Sequence, residues 1–209
     1  FFDGYLYGDW FIATVYFTNT SKGDECLMRI VAGKYGSRPL KSCKGDTTRP
    51  TADKVKGAVF SSLGGSFDSG RMLDCYSGTG NMALEALSRG MKFATMVEKD
   101  RMALNVIREN VKSLQEKNCE IISGSIFSVM NRLKEAYDLV YIDPPYKEEK
   151  NVELIEKLDQ LSLINTSGMV VVESLAQQTF PEQIATLSKQ KEKVYGITKI
   201  TYYRKQEQQ

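Results

Sequence analysis

From Arg71 onward, short apolar runs alternate with amphipathic stretches, and no other feature restricts the fold of this chain so tightly. The runs 71–75, 93–97, 120–122, 139–142 and 169–172 read as strands. Between them lie helices such as Asp100 to Leu114, where Asp100 can cap and Leu104, Ile107, Val111 and Leu114 form one apolar stripe. That alternation is the signature of βαβ units stacked into an α/β, mostly parallel sheet with helices on both faces. The tail from Lys193 to Arg204 reads as two strands bent near Gly196, so the sheet is expected to end in an antiparallel hairpin. Apolar stripes of this kind build a core and carry no chemistry themselves.

A chain of 209 residues with 42% hydrophobic content is long enough for one such domain and a small appendage. Histidine is absent, which excludes Ser-His and Cys-His hydrolase triads, His-ligated zinc and imidazole general bases. No metal is expected. The four cysteines, at 26, 43, 75 and 119, form no CxxC pair, a usage expected of reduced thiols in a cytoplasmic protein. No apolar run reaches membrane-spanning length, and no secretory leader is evident.

Charge divides the chain further. Residues 1–27 are aromatic-rich and acidic at −3, and two readings stand: an upstream extension before Met28, or a genuine extra strand over Trp10 to Phe17. Met28 to Gly57 reverses the sign: Arg29, Lys34, Arg38, Lys41, Lys44, Arg49, Lys54 and Lys56 against Asp46 and Asp53 give +6. With glycines at 33, 36 and 45, this stretch reads as a small hairpin followed by a helix that starts beside Pro50 and stops at Gly64-Gly65. The expected organisation is an extension (1–27), a basic arm (28–65) and an α/β domain (66–209). Such an arm suits nucleic-acid phosphates, through Arg29, Lys34, Arg38 and Arg49, or is merely a solvated charged face.

Two stretches carry chemistry. Asp74-Cys75-Tyr76-Ser77-Gly78-Thr79-Gly80 joins a strand to a helix through two glycines that let backbone approach a ligand. Gly78-x-Gly80-x-x-Ala83 also satisfies a dinucleotide fingerprint, so the glycines alone leave NAD and other adenosine ligands open, beside a plain packing turn. Asp74, at the strand end, would repel a pyrophosphate and welcome an ammonium, as S-adenosylmethionine carries. Glu98 ends the next strand, where an acid can accept ribose hydroxyls, or is an ordinary exposed Glu; Ser125 and Ile126 follow the third strand, where an adenine could lie.

The second stretch is Asp143-Pro144-Pro145-Tyr146, at the carboxyl end of the run Leu139 to Ile142. Two prolines remove two N–H donors and leave carbonyl acceptors. With the Asp143 carboxylate these suit an exocyclic amine, whose lone pair is then aimed at a methyl donor; such orientation is worth up to about 7–11 kcal/mol in favourable cases. Tyr146 offers a face for a flipped base.

These residues resemble the amino-group methyltransferases that use S-adenosylmethionine. Met28 to Leu40, Thr48 to Lys56, Leu73 to Gly80 and Leu84 to Gly90 narrow the resemblance to the ribosomal small-subunit methyltransferase D family, over residues 28 to about 204. The resemblance implies a Rossmann-like methyltransferase fold with a seven-stranded sheet, S-adenosylmethionine as cofactor, and 16S rRNA of the small subunit or its assembly intermediate as partner. The expected target is the N2 amine of a flipped guanine, conventionally position 966. On this resemblance Asp143, Pro144 and Pro145 orient the amine and Tyr146 stacks the base. Asp74 and the loop Tyr76-Ser77-Gly78-Thr79-Gly80 hold the methionine moiety, Glu98 the ribose, Ser125-Ile126 the adenine. Rivals are a DNA adenine-N6 or protein glutamine-N5 methyltransferase, a nicotinamide-dependent oxidoreductase, and an RNA-binding protein without turnover.

Overall fold

The computed structural model describes residues 28–43, 50–145 and 150–207. The expectations for 1–27, for Arg49 and for Tyr146 lie outside the described residues. A short hairpin, β1 (Met28–Arg29) with β2 (Pro39–Leu40), precedes α1 (Pro50–Ser62). The alternating part follows as β3 (Arg71–Asp74), α2 (Asn81–Ser88), β4 (Phe93–Glu98), α3 (Arg101–Leu114), β5 (Cys119–Ser123), α4 (Ile126–Val129), β6 (Tyr137–Ile142), α5 (Asn151–Gln160) and β7 (Ile164–Leu175). The chain closes with β8 (Gln183–Ile184), β9 (Leu187–Tyr195) and β10 (Thr198–Lys205).

Apart from the β1–β2 hairpin, the strands form one sheet in the order β5-β4-β3-β6-β7-β10-β9-β8. The first five run parallel. β10 inserts antiparallel between β7 and β9, so the expected terminal hairpin is built into the sheet rather than appended to it. Beyond the seven expected strands, the two-residue β8 pairs at the β9 edge. Two strands are longer than their apolar runs. β7 starts at Ile164 because the polar stretch 165–168 continues the ladder through an irregularity opposite Tyr137 and Leu139. β9 starts at Leu187 although polar residues fill most of it, since a strand near a sheet edge needs few apolar residues.

Alternation along each strand sends side chains into two cores. One layer holds Met72, Met96, Leu139, Tyr141, Val171 and Ile200 against α1, α2 and α3, together with Ile30 and Leu40 of the hairpin. The other holds Leu73, Cys75, Val97, Val140, Ile142 and Val172 against α4 and α5. Helix α3 is capped as its sequence suggests, the Asp100 side chain accepting from the Ala103 N–H at 2.8 Å.

The hairpin is seated on α2 by buried acids. Glu85, fully buried, accepts from the Val31 and Ala32 N–H groups at 2.7 and 3.0 Å, and its carboxylate lies 2.7 Å from Arg89 Nε and 3.4 Å from Lys56 Nζ. The turn of the hairpin approaches so closely that a Cβ on Gly33, at φ +85°, would sit 1.9 Å from the Ser88 carbonyl oxygen.

Candidate active site

The carboxyl ends of β3, β4, β5 and β6 converge on one cavity of about 340 Å3. The glycine loop is pinned between its neighbours: the Cys75 N–H donates to the Tyr141 carbonyl and the Ser77 N–H to the Val97 carbonyl, both at 3.0 Å. Its glycines differ in purpose. At Gly80, φ +77°, a Cβ would meet Met96 Sδ at 3.1 Å, so this glycine lets α2 pack on the sheet. At Gly78, φ +53°, a Cβ would meet nothing within 4 Å, and the residue lines the cavity, leaving backbone open to a ligand.

Glu98 organises that loop. Its Oε2 accepts from the Gly78 N–H at 2.8 Å, while Oε1 accepts from the Lys99 and Asp100 N–H groups at 2.7 and 2.8 Å. A carboxylate has about four lone-pair sites. Three are engaged, so Oε2 retains capacity for a further donor in the cavity.

Three more carboxylates stand at the ends of β3, β6 and β7. Asp74 is 1% exposed and its Oδ1 has no hydrogen-bond partner among the described residues. Burial pushes its carboxyl up to about 7, with the charge of Glu98 adding to the shift against opposing hydrogen bonds from the Tyr76 and Ala83 backbone. Asp143 is held well above the usual carboxylate range by burial, then by the charges of Glu173 and Asp74. Glu173 is raised by burial as well, opposed by the Tyr141 hydroxyl, which donates to its Oε2 at 2.5 Å. No Lys or Arg among the described residues pairs with any of the three. Such a site favours a cationic or hydrogen-bond-donating ligand and disfavours an anionic one.

Of the candidate cofactor and amine-binding residues, Tyr76, Gly78, Glu98, Ser125, Ile126, Asp143, Pro144 and Pro145 line the cavity. Asp74, Ser77, Thr79 and Gly80 belong to the same loop but are not among the residues that line the cavity. The Ser77 hydroxyl donates to the Asp74 carbonyl at 3.1 Å, and the Thr79 hydroxyl meets Met28 Sδ at 3.3 Å on the hairpin side. Ser125 also caps α4, its hydroxyl accepting from the Ser128 N–H at 3.3 Å. Sequence reasoning missed Phe127, which offers the cavity an aromatic wall, and Glu173, which does not line the cavity but lies close enough to Asp143 to act on its charge. The signal for Glu173 was present: an acid directly after the apolar run 169–172 falls at the carboxyl end of a strand, where these sheets bind ligands.

The candidate phosphate contacts lie on the hairpin. Arg29 is within 3.5 Å of Asp53, Lys34 pairs with Glu116 at 2.8 Å, and Arg38 donates to the Ser113 carbonyl at 2.8 Å. Lys56, counted in the basic run, is buried, its Nζ donating to the Arg29 carbonyl and to Asn81 Oδ1. Part of the arm's charge is therefore answered within the molecule. A larger hollow, about 760 Å3, opens among Phe67, Gly70, Asp138 and Arg204 and contains none of the candidate site residues.

With this geometry in view, residues 28–204 match the family described as Conserved hypothetical protein 95. The YlbH protein of Bacillus subtilis is 32% identical over 182 residues, covering 85% of this chain and 99% of that one. Ribosomal RNA small subunit methyltransferase D of Escherichia coli is 28% identical, covering 87% of this chain and 91% of that protein. Among solved structures, the yhhF protein of Escherichia coli superposes with a TM-score of 0.77 at 29% identity, over 86% of this chain and 98% of that one. The match to the family model over most of the chain and the full-length likeness to these relatives lead to one conclusion: the chain belongs to the Conserved hypothetical protein 95 family, that of the ribosomal small-subunit methyltransferase D proteins.

Proposed function

We propose that the protein is an S-adenosylmethionine-dependent rRNA methyltransferase that methylates the N2 amine of a guanine in 16S rRNA. The carrying observation is the placement of Asp143-Pro144-Pro145 on the rim of the glycine-loop cavity, beside the buried Asp74 and the half-buried Glu173, neither of which has a cationic partner among the described residues. Family membership and the names of the relatives support the donor and the rRNA substrate class. The guanine and its N2 position rest on the resemblance of the hairpin and the Arg49-Pro50-Thr51 stretch to the methyltransferase D family, since the Asp143-Pro144-Pro145-Tyr146 motif alone would suit adenine N6 as well.

The residues present fit the donor. Open backbone at Gly78, the orphaned buried Asp74 Oδ1 and the apolar walls Val97, Ile126 and Phe127 suit a ligand with an ammonium at one end and an adenine at the other. S-adenosylmethionine supplies an electrophilic methyl carried on a sulfonium. Asp74 and the glycine loop hold the amino-acid end, and Glu98 Oε2 accepts from a ribose hydroxyl. Ser125, Ile126 and Phe127 flank the adenine. On the substrate side, Asp143 and the Pro144 carbonyl accept the two hydrogens of the amine, so its lone pair faces the methyl. Tyr146 stacks the flipped base. Asp143 would be the acceptor at hand for the proton that the amine gives up on methylation. The hairpin cations grip phosphates and set register without reading sequence. The partner is the small subunit or its assembly intermediate.

A nicotinamide cofactor would bring a pyrophosphate to the ends of β3 and β6, where Asp74 and Asp143 oppose it. The test is methyl transfer from labelled S-adenosylmethionine to small subunits and to free 16S rRNA from cells lacking this activity, followed by nucleoside mass spectrometry. N2-methylguanosine at a single site is expected. N6-methyladenine, or transfer only to DNA or to a protein amide, would overturn the assignment.

A further inference from the structure

A methyltransferase that clamps a planar amine must still distinguish which amine it holds, and the clamp itself is indifferent to the rest of the ligand. Asp143 and the Pro144 carbonyl would serve adenine N6, cytosine N4, guanine N2 or a glutamine amide equally well. What differs is the atom beside the amine. Guanine places an N1–H donor next to N2. Adenine flanks N6 with the lone pairs of N1 and N7, cytosine flanks N4 with the N3 lone pair, and an amide flanks its nitrogen with a carbonyl oxygen.

The group that lies beside Asp143 is Glu173. Ile142 and Val172 are the last register partners in the parallel pair β6–β7, so Asp143, the first residue beyond β6, and Glu173, still within β7, each directly follow that pair. Strands in register run about 4.8 Å apart. Tyr141 and Val171 point into the α1–α2–α3 layer while Ile142 and Val172 point into the other, so alternation sends Asp143 and Glu173 to the same side as Tyr141. The Tyr141 hydroxyl reaches Glu173 Oε2 at 2.5 Å, which fixes the carboxylate and leaves Oε1 with no partner among the described residues. The charge of Glu173 is felt at Asp143, as the raised proton affinity of Asp143 records.

We infer that Glu173 is a specificity-determining residue: its Oε1 accepts the N1–H of guanine while Asp143 accepts an N2 hydrogen, so that two adjacent carboxylates read two adjacent donors. This rests on the guanine-N2 reading above. A carboxylate facing a lone pair repels it, which turns away adenine, cytosine and amides at the same point that guanine is accepted.

The experiment uses 16S rRNA ligated to carry either guanine or 2-aminopurine at the methylated position and assembled into small subunits. 2-Aminopurine keeps the same N2 amine but presents a lone pair at N1. The full chain should prefer guanine by at least about 100-fold in kcat/KM, since a site built around a donor rejects an analogue lacking it. In Glu173→Gln the amide nitrogen can donate to the 2-aminopurine N1, and the preference should fall at least about tenfold. Tyr141→Phe, which removes only the hydroxyl that orients Glu173, should lower it several-fold, and it serves if the Gln variant fails to fold. An unchanged preference in a folded variant that binds S-adenosylmethionine overturns the role of Glu173. A wild-type protein that methylates neither guanine nor its analogue overturns the guanine reading itself and with it this inference.

Discussion

Two groups of carboxylates withdrawn wholly or partly from solvent can be compared among the described residues, and they are treated in opposite ways. Glu85 and Glu116, which seat the hairpin, are saturated: Glu85 meets Arg89, Lys56 and two backbone N–H groups, and Glu116 meets Lys34, the Tyr35 hydroxyl and the Lys117 and Asn118 N–H groups. Burial alone would raise Glu116, but these donors outweigh it and hold its carboxyl below its ordinary value. Asp74, Asp143 and Glu173, at the strand ends, have no cation among the described residues and are all raised. A buried charge with its partners supplied is structure; one without them is a place made for a ligand that brings them.

The largest effect expected from breaking this contrast is on the saturated side. Glu85→Ala removes the fully buried carboxylate shared by Lys56 and Arg89 and frees two N–H groups, and should cost about 3–5 kcal/mol in chemical denaturation. A loss below about 1 kcal/mol would show that the seat is not held by charge. On the open side, Asp143→Ala should leave S-adenosylmethionine affinity near wild type by calorimetry and lower turnover at least about 100-fold. Wild-type turnover would remove Asp143 from the amine clamp.

The two groups also titrate in opposite senses. Asp74 has a folded value of about 7, above its unfolded value, so the ligand-free folded state holds an extra proton between about pH 4 and 7. Its contribution to stability is full below about pH 4 and is lost as pH rises through about 7. Glu116 is lowered, so its contribution is present above its unfolded value and lost as pH falls through the folded one. Asp74→Asn should flatten the decline of Tm from pH 4 to 7, and Glu116→Gln should flatten the acid-side decline. The same Asp74 titration predicts that affinity for S-adenosylmethionine rises from pH 6 to 8, by less than about tenfold per unit. A flat affinity profile would remove the Asp74 contact with the ammonium. The smallest effect belongs to the exposed part of the arm. Arg29→Ala with Arg38→Ala should reduce the slope of log affinity against log salt for 16S rRNA by about 1 to 2. An unchanged slope would make these cations a solvated face.

Legibility followed local pattern. The parallel strands, the terminal hairpin around Gly196, the Asp100 cap and the helix beginning at Pro50 were all marked by apolar spacing, glycines or capping residues. The long polar start of β7 and the lysine-rich β9 were hidden, because their order comes from neighbouring strands and not from their own composition. The glycine loop and Asp143-Pro144-Pro145 were legible since each is contiguous and lies at a predicted strand end. Glu173 was not, although it follows an apolar run as Asp143 does, because its meaning depends on β7 lying beside β6.

The same division holds for charge. A count along the arm gives +6, yet folding places Lys56 in the core and pairs Lys34 with Glu116, so the charge left to face a partner is smaller than the count. Sequence by itself determined which residue types stand at the ends of which strands, because strand and helix periods are local properties of the chain. Only the tertiary structure decided which of the acids are neutralised and which are left waiting, because pairing and desolvation depend on residues brought together from distant positions.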